Sequence, residues 1–244
     1  FDYETLSSDI AELDTLLGGG IERGSVTLIS GPSGVGKSTT ATAFARAAAA
    51  RGERAAAFLF EESEDSFRHR SDAIGLGVSD LLESEDFEVH EVEPLSISAD
   101  EFAHRVRESV EQRGTEFVLL DGTAGYRIAL QDPESELRRE LHALVRYLRN
   151  MGVTVLLTDE LSSVTGTFQA SDSHVSYLAD NVLFIRYIEV EGEIRKAVGV
   201  LKKRFGEFES TLRSFAIDSD GIQVGPALSD LRGVLTGTPT REHH

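Results

Sequence analysis

Short apolar runs recur along the first two thirds of the chain, separated by longer stretches whose apolar residues fall at helical intervals. Val26 to Ser30, Ala55 to Phe60, Phe87 to His90, Phe117 to Leu120 and Val153 to Thr158 read as strands. Several of them are apolar without interruption, the pattern of strands covered on both faces. Between them Lys37 to Ala50 is alanine-rich, and Ala99 to Arg113 and Pro133 to Asn150 carry helical spacing, the last through Leu137, Leu141, Leu144, Val145 and Leu148. Strand and helix in alternation predict an α/β fold with a mostly parallel central sheet flanked by crossover helices.

The pattern changes near residue 180. Asn181 to Val190, Ile194 to Lys202 and Ser210 to Ile217 are strand-like, and turn signals at Glu191-Gly192-Glu193 and Ser219-Asp220-Gly221 separate them. Antiparallel hairpins are the natural reading. With no internal repeat and no long linker, 244 residues fit one domain over residues 1–244. Its core covers about 10–190, a C-terminal antiparallel β extension about 181–225, and a tail about 226–244.

Composition narrows the possible partners. The formal net charge of -18 repels nucleic-acid backbones and anionic membrane surfaces, so nucleic acid is a poor default partner. Lysine occurs only at Lys37, Lys196, Lys202 and Lys203, and the other basic residues are arginines. This arginine-biased, acidic surface resembles proteins of salt-accumulating halophilic archaea; an ordinary acidic cytosolic protein is the alternative. Cysteine is absent, which excludes disulfides, thiolate metal sites and cysteine nucleophiles. No apolar run is long enough for a membrane helix, and the expected location is cytoplasmic.

Gly31-Pro32-Ser33-Gly34-Val35-Gly36-Lys37-Ser38 satisfies the phosphate-loop pattern and sits between a predicted strand and a predicted helix. Its glycines let backbone N–H groups point at phosphates, and the following helix adds the positive end of its dipole. The pattern implies ATP as ligand and Mg²⁺ as cofactor. Gly31, Ser33, Gly34, Val35, Gly36, Lys37, Ser38 and Thr39 are the candidate phosphate contacts. Lys37 is placed to reach the β/γ phosphates and Ser38 to ligate the metal.

A second metal-side carboxylate belongs at the end of a neighbouring apolar strand. Phe117-Val118-Leu119-Leu120-Asp121 has that form, against the alternative that Asp121 is a solvated turn residue. Glu61-Glu62 ends the second predicted strand and supplies the candidate catalytic base, one carboxylate activating the nucleophile while the other tunes it. The alternative is a pair of exposed charges ahead of a helix beginning near Asp65.

Over nearly its whole length the chain resembles the RecA-like ATPases typified by the circadian clock protein KaiC, and its C-terminal half in particular. The resemblance is carried by Leu13-Asp14 with Gly18-Gly19-Gly20, Phe60-Glu61-Glu62-Ser63, Ser171-Asp172-Ser173-His174-Val175-Ser176, Tyr187 to Glu193, Val200 to Arg204 and Gly237-Thr238-Pro239-Thr240. It implies a homo-hexameric ring with ATP between subunits, each site completed by Lys202 and Arg204 of a neighbour. It also implies an adenine-proximal Ile74 and a phosphoacceptor at Ser176. Here the chain departs from the family, because Tyr177 stands where the family's second acceptor is threonine, and Ser171 replaces an upstream threonine. A tyrosine hydroxyl lies several ångströms farther from the backbone, which puts an ordered two-site cycle in doubt.

The loop from Asp159 to Asp172 corresponds to a channel-facing segment of recombinases but holds no lysine or arginine to grip DNA. A Mg²⁺-dependent ring ATPase is therefore the leading expectation, with an unidentified downstream signalling partner; autophosphorylation on Ser176 stands beside the alternative of an ordinary polar segment at the subunit interface. The rivals are a non-catalytic ATP-sensing scaffold and a DNA-dependent recombinase-type ATPase. The start at Phe1 and the clock-like C-terminal segment fit one half of a longer two-domain protein.

Overall fold

The computed structural model describes residues 3–93, 95–124, 135–160, 175–234 and 240–241, with backbone alone at 135–138, 232 and 241. In chain order the elements are β1 (Thr5–Leu6), α1 (Ala11–Leu16), β2 (Ile21–Glu22), β3 (Val26–Gly31), α2 (Lys37–Ala50), β4 (Ala55–Leu59), α3 (Glu64–Ala73) and α4 (Val78–Glu83). They continue with β5 (Phe87–Glu91), α5 (Ala99–Arg113), β6 (Phe117–Asp121), α6 (Ser135–Asn150), β7 (Thr154–Glu160), β8 (Asn181–Val190), β9 (Glu193–Lys203), β10 (Arg213–Asp218) and β11 (Gly221–Ala227). Two short strands, β12 (Leu231–Arg232) and β13 (Thr240–Arg241), pair with each other.

Nine strands form one sheet in the order β11-β10-β9-β8-β3-β7-β6-β4-β5. From β8 to β5 every neighbouring pair is parallel; from β8 to β11 every pair is antiparallel. The expected α/β class and antiparallel extension are both present, and the hairpins continue the main sheet through β8. The apolar strands face a core on each side. Ile29, Ala57, Leu119 and Leu156 pack with Phe44 and Ala48 of α2, while Leu28, Phe58, Leu120 and Leu157 pack with Phe102, Val106, Leu144 and Leu148 of α5 and α6. Period-two alternation sends neighbouring residues of one strand into opposite layers, which is why these strands tolerate no polar face.

Helices α2 and α5 have the limits that the pattern predicts. Other elements were weaker in the sequence for physical reasons. Helix α3 buries only Phe67 and Ser71, too sparse an apolar set to show periodicity. Its start is set locally by Ser63, whose hydroxyl accepts the Ser66 N–H at 3.3 Å. Strand β11 begins with glycine and contains Gly225 and Pro226, so pairing with β10 makes it a strand rather than its own propensity. The third C-terminal strand begins at Arg213 instead of Ser210, where pairing with Val198 of β9 starts. Strand β7 runs two residues beyond the expected end, because Asp159 and Glu160 pair with Ser30 and Gly31.

A buried polar knot explains the run Gly18-Gly19-Gly20. The Lys203 ammonium donates to the Leu17 carbonyl, to the Gly20 carbonyl at 3.2 Å and to Glu22 Oε1 at 3.0 Å, with lysine and glutamate side chains only 2% and 3% exposed. Asn181 Nδ2 donates to the other Glu22 oxygen at 3.1 Å. All three ammonium protons are used, the condition under which a buried charge is tolerated. Carbonyls can converge this way because Gly20 adopts φ +126°, where a Cβ would lie 2.2 Å from the Leu6 oxygen. Among the described residues no helix is long and apolar enough to cross a membrane.

Gly20→Ala is therefore expected to cost at least about 2 kcal/mol of unfolding free energy in urea titration, from backbone strain and the clash together. Gly52→Ala, at φ +84° with open space around it, is expected to cost about 1 kcal/mol from conformation alone.

Candidate active site

The carboxyl ends of β3, β7, β6 and β4 stand side by side and open into a cavity of about 440 Å³. A crevice at the carboxyl edge of a parallel sheet is where open α/β folds hold ligands. Strand β3 delivers the loop that leads into α2. Gly36 caps that helix at φ +115° with no side-chain cap, leaving first-turn N–H groups for an external anion. A side chain at Gly36 would meet Ile217 Cδ1 at 2.6 Å and the Phe215 ring at 3.0 Å. Lys37 spends one proton on the Pro32 carbonyl at 2.8 Å. Burial holds its pKa below the ordinary lysine value, against the pull of Glu160, Asp121, Glu61 and Asp159.

Asp121 ends β6 and is 6% exposed. Its Oδ1 accepts from the Ser38 hydroxyl at 2.9 Å and the Thr158 hydroxyl at 2.6 Å, and Thr158 Oγ1 in turn accepts the Gly122 N–H at 2.9 Å. Burial raises the Asp121 pKa above the ordinary aspartate value; the Thr158 and Ser38 hydroxyls oppose that rise. The solvated-turn alternative for Asp121 is thereby removed.

Beyond β4 the two glutamates diverge. Glu61 is partly exposed to the cavity and packs over Gly122, whose Cβ position lies 3.2 Å from the Glu61 carboxyl carbon. Burial, then the charges of Glu160 and Asp121, raise its pKa, with Lys37 opposing. Glu62 is instead gripped by Arg70 of α3, with Nε and Nη2 on its two oxygens at 3.0 and 2.9 Å, and Ser66 Oγ donates to it at 3.2 Å. Arg70 also lines the cavity.

The family model described as ATPase: KaiC matches residues 6–229. The chain belongs to the KaiC ATPase family. Its relatives include the circadian clock protein KaiC3 of a Synechocystis species, 26% identical over 98% of this chain and 48% of the relative. The circadian clock oscillator proteins KaiC of Acaryochloris marina and Synechococcus elongatus are each 23% identical over 97% of this chain and 45% of theirs. The chain thus spans about half the length of the curated relatives it matches. A RecA-like fold and a site for ATP with a divalent metal follow from membership.

Of the candidate residues, Ser33, Gly34, Gly36, Lys37, Ser38, Thr39, Glu61, Glu62 and Asp121 line this one KaiC-family cavity. Gly31 and Val35 of the same loop do not line it; Val35 is fully buried. Ile74 ends α3, half-buried, with its carbonyl beside the β10–β11 turn at Gly221. It does not line the cavity, whereas Ile217, a residue carrying no motif, does. Lys202 and Arg204 share one side, as alternation predicts, and bond the Ala179 carbonyl at 2.6 Å and Asp180 Oδ1 at 3.2 Å. Ser176 lies in a short 3-10 turn, Ser176–Leu178, also away from the cavity. Tyr177 is exposed there, its ring stacked on His142 at 6.3 Å. Ser171, the loop from 161 to 172 and Gly237-Thr238-Pro239 lie outside the described residues.

The sequence reading missed Arg70, Thr158, Asp159, Glu160 and Ile217. Only Arg70 carried a signal, as a cation eight residues after Glu62, which two helical turns return to the strand end.

Asp121→Asn keeps an acceptor for Ser38 and Thr158 but removes a buried charge. Because the folded protein binds the Asp121 proton more tightly than the unfolded chain does, charging that group costs stability as pH rises above the ordinary aspartate range. The ligand-free variant is therefore expected to melt higher than wild type at neutral pH, the gap closing as pH falls below that range. In wild type, nucleotide with divalent metal at a hundredfold excess over Kd adds about 2.7 kcal/mol; the variant is expected to lose most of it, as thermal scans would register.

Proposed function

We propose that the chain binds ATP with Mg²⁺ in this cavity and hydrolyses it, with Glu61 as general base. The observation that carries this reading is the contrast between the two glutamates. Glu62 is committed to Arg70 and Ser66, whereas Glu61 faces the cavity, accepts no hydrogen bond from the described residues and has its pKa raised above the ordinary glutamate value. A water beside the γ-phosphorus gives its proton to Glu61, its oxygen bonds phosphorus, and the bond to the β–γ bridging oxygen breaks to release ADP and phosphate. Lys37 and the N–H groups at the start of α2 stabilise the charge on the transferred group.

Ser38 and Asp121 would hold the metal. A hydroxyl and a carboxylate, both hard oxygen donors, suit Mg²⁺. Among the described residues no cluster of three metal-binding side chains exists, which fits an ion that takes its remaining ligands from phosphate and water. When bound, Mg²⁺ supplies charge neutralisation to the phosphate oxygens.

The charge balance favours assembly into a ring, with the homo-hexamer as the proposed form. Among the described residues five carboxylates line the cavity, Glu61, Glu62, Asp121, Asp159 and Glu160, against two cations, Lys37 and Arg70. A triphosphate entering this surplus of negative charge needs more positive charge than these residues bring. Lys202 and Arg204, outside their own cavity, would supply it across a subunit boundary. Ser176 is the proposed phosphoacceptor in the same arrangement, reached by a neighbour's nucleotide.

Glu61→Gln is expected to lower kcat for ATP hydrolysis by about 100- to 1,000-fold with ATP affinity retained, measured by phosphate release and nucleotide titration. A wild-type protein that binds ATP tightly and assembles without releasing phosphate would establish a sensing scaffold in place of an enzyme. Intact-mass spectrometry after incubation with Mg–ATP reads the acceptor: a phosphate adduct mapped to Ser176 and lost in Ser176→Ala is the expected result, and its absence limits the chain to hydrolysis.

A further inference from the structure

Arg70 joins two parts of the site that the phosphate loop alone leaves separate. Its fork closes on both oxygens of Glu62, just past the end of β4, and its Nη1 donates to Thr39 Oγ1 at 3.1 Å in the first turn of α2. Phe67, one helical turn earlier on α3, backs the guanidinium at 5.4 Å from ring centroid to Cζ. The Arg70 and Glu62 side chains are 26% and 19% exposed, so the pair is largely withdrawn from water. Glu62 takes three hydrogen bonds from the described residues, counting Ser66. Glu61 accepts none from the described residues.

We propose that Arg70 is a positioning residue of this site: by holding Glu62 as its counter-ion and Thr39 as a third partner, it leaves Glu61 the sole free glutamate at the end of β4. The proposal rests on the hydrolytic reading of the cavity. A bidentate pair plus a third bond from the same planar group requires the guanidinium fork, which a lysine ammonium does not reproduce. Without Arg70, Glu62 becomes a second unpaired carboxylate facing the same phosphates, and the tie between β4 and α2 is lost. Removing both charges restores neutrality and leaves two amides able to bond each other.

The test uses the full chain with Mg–ATP and compares wild type, Arg70→Gln, Arg70→Lys and the double variant Arg70→Gln/Glu62→Gln, with melting curves for each. Arg70→Gln is expected to lower kcat about 10- to 100-fold with a smaller change in KM. Arg70→Lys should not restore it, and the double variant should regain most of the loss. Arg70→Gln turning over as wild type does, Arg70→Lys performing as well as arginine, or a double variant no better than Arg70→Gln would each overturn the proposal. If Arg70→Gln fails to fold, the lysine and double variants carry the same comparison. If neither wild type nor Glu61→Gln releases phosphate, hydrolysis falls on its own, and titration with a fluorescent ATP analogue then decides on Arg70. Affinity weakened by Arg70→Gln and recovered in the double variant would support the arginine's role. Equal affinity in all four proteins would end it.

Discussion

The hydroxyls of Ser38 and Thr158 both bond one oxygen of Asp121, and the rest of the site is arranged around that contact. Through it the start of α2, the end of β6 and the end of β7 meet within hydrogen-bond distance. Thr158 extends the link to the Gly122 N–H, and Gly122 provides the surface on which the Glu61 carboxyl rests. A carboxylate so deep is tolerated because donors meet it, and its raised pKa measures what they leave uncompensated. The sheet beneath makes the convergence possible, since four parallel strands with apolar faces on both sides hold their carboxyl ends in one row.

Electrostatically the cavity is unfinished. Among the described residues of its lining carboxylates outnumber cations, burial holds the Lys37 pKa below the ordinary lysine value, and the exposed Lys202 and Arg204 bond the turn at Ala179 and Asp180 instead. That imbalance is the ground on which a metal ion and a second subunit enter the proposal. The Lys203 knot lies between those two basic residues. Burying the middle member of Lys202-Lys203-Arg204 against Glu22 turns its neighbours to the other face, so a structural lysine orients two solvent-facing cations.

How much could be read from the residues depended on how local each interaction is. The phosphate loop is contiguous, and its glycines, lysine and serine must stand at fixed spacing to wrap phosphate, so Gly31 to Ser38 was legible in full. Asp121 and Glu61-Glu62 were legible because each closes an apolar run at a strand end. Ile217 and Glu160 were not. Nothing near Ile217 distinguishes it from any β-strand isoleucine, and Glu160 enters the cavity only because β7 is drawn two residues longer by pairing with β3. Ile74, placed near the adenine by resemblance, has its carbonyl beside the β10–β11 turn at Gly221.

The sequence by itself determined the α/β alternation, the family, the phosphate loop and the strand-end carboxylates Glu61, Glu62 and Asp121, because periodicity and contiguous motifs are properties of neighbouring residues. Only the tertiary structure decided how two adjacent glutamates divide. Arg70 returns from α3 to neutralise Glu62, while burial and the nearby Glu160 and Asp121 set Glu61 apart. That difference arises from side chains brought together across the sheet, and the string Glu61-Glu62 does not contain it.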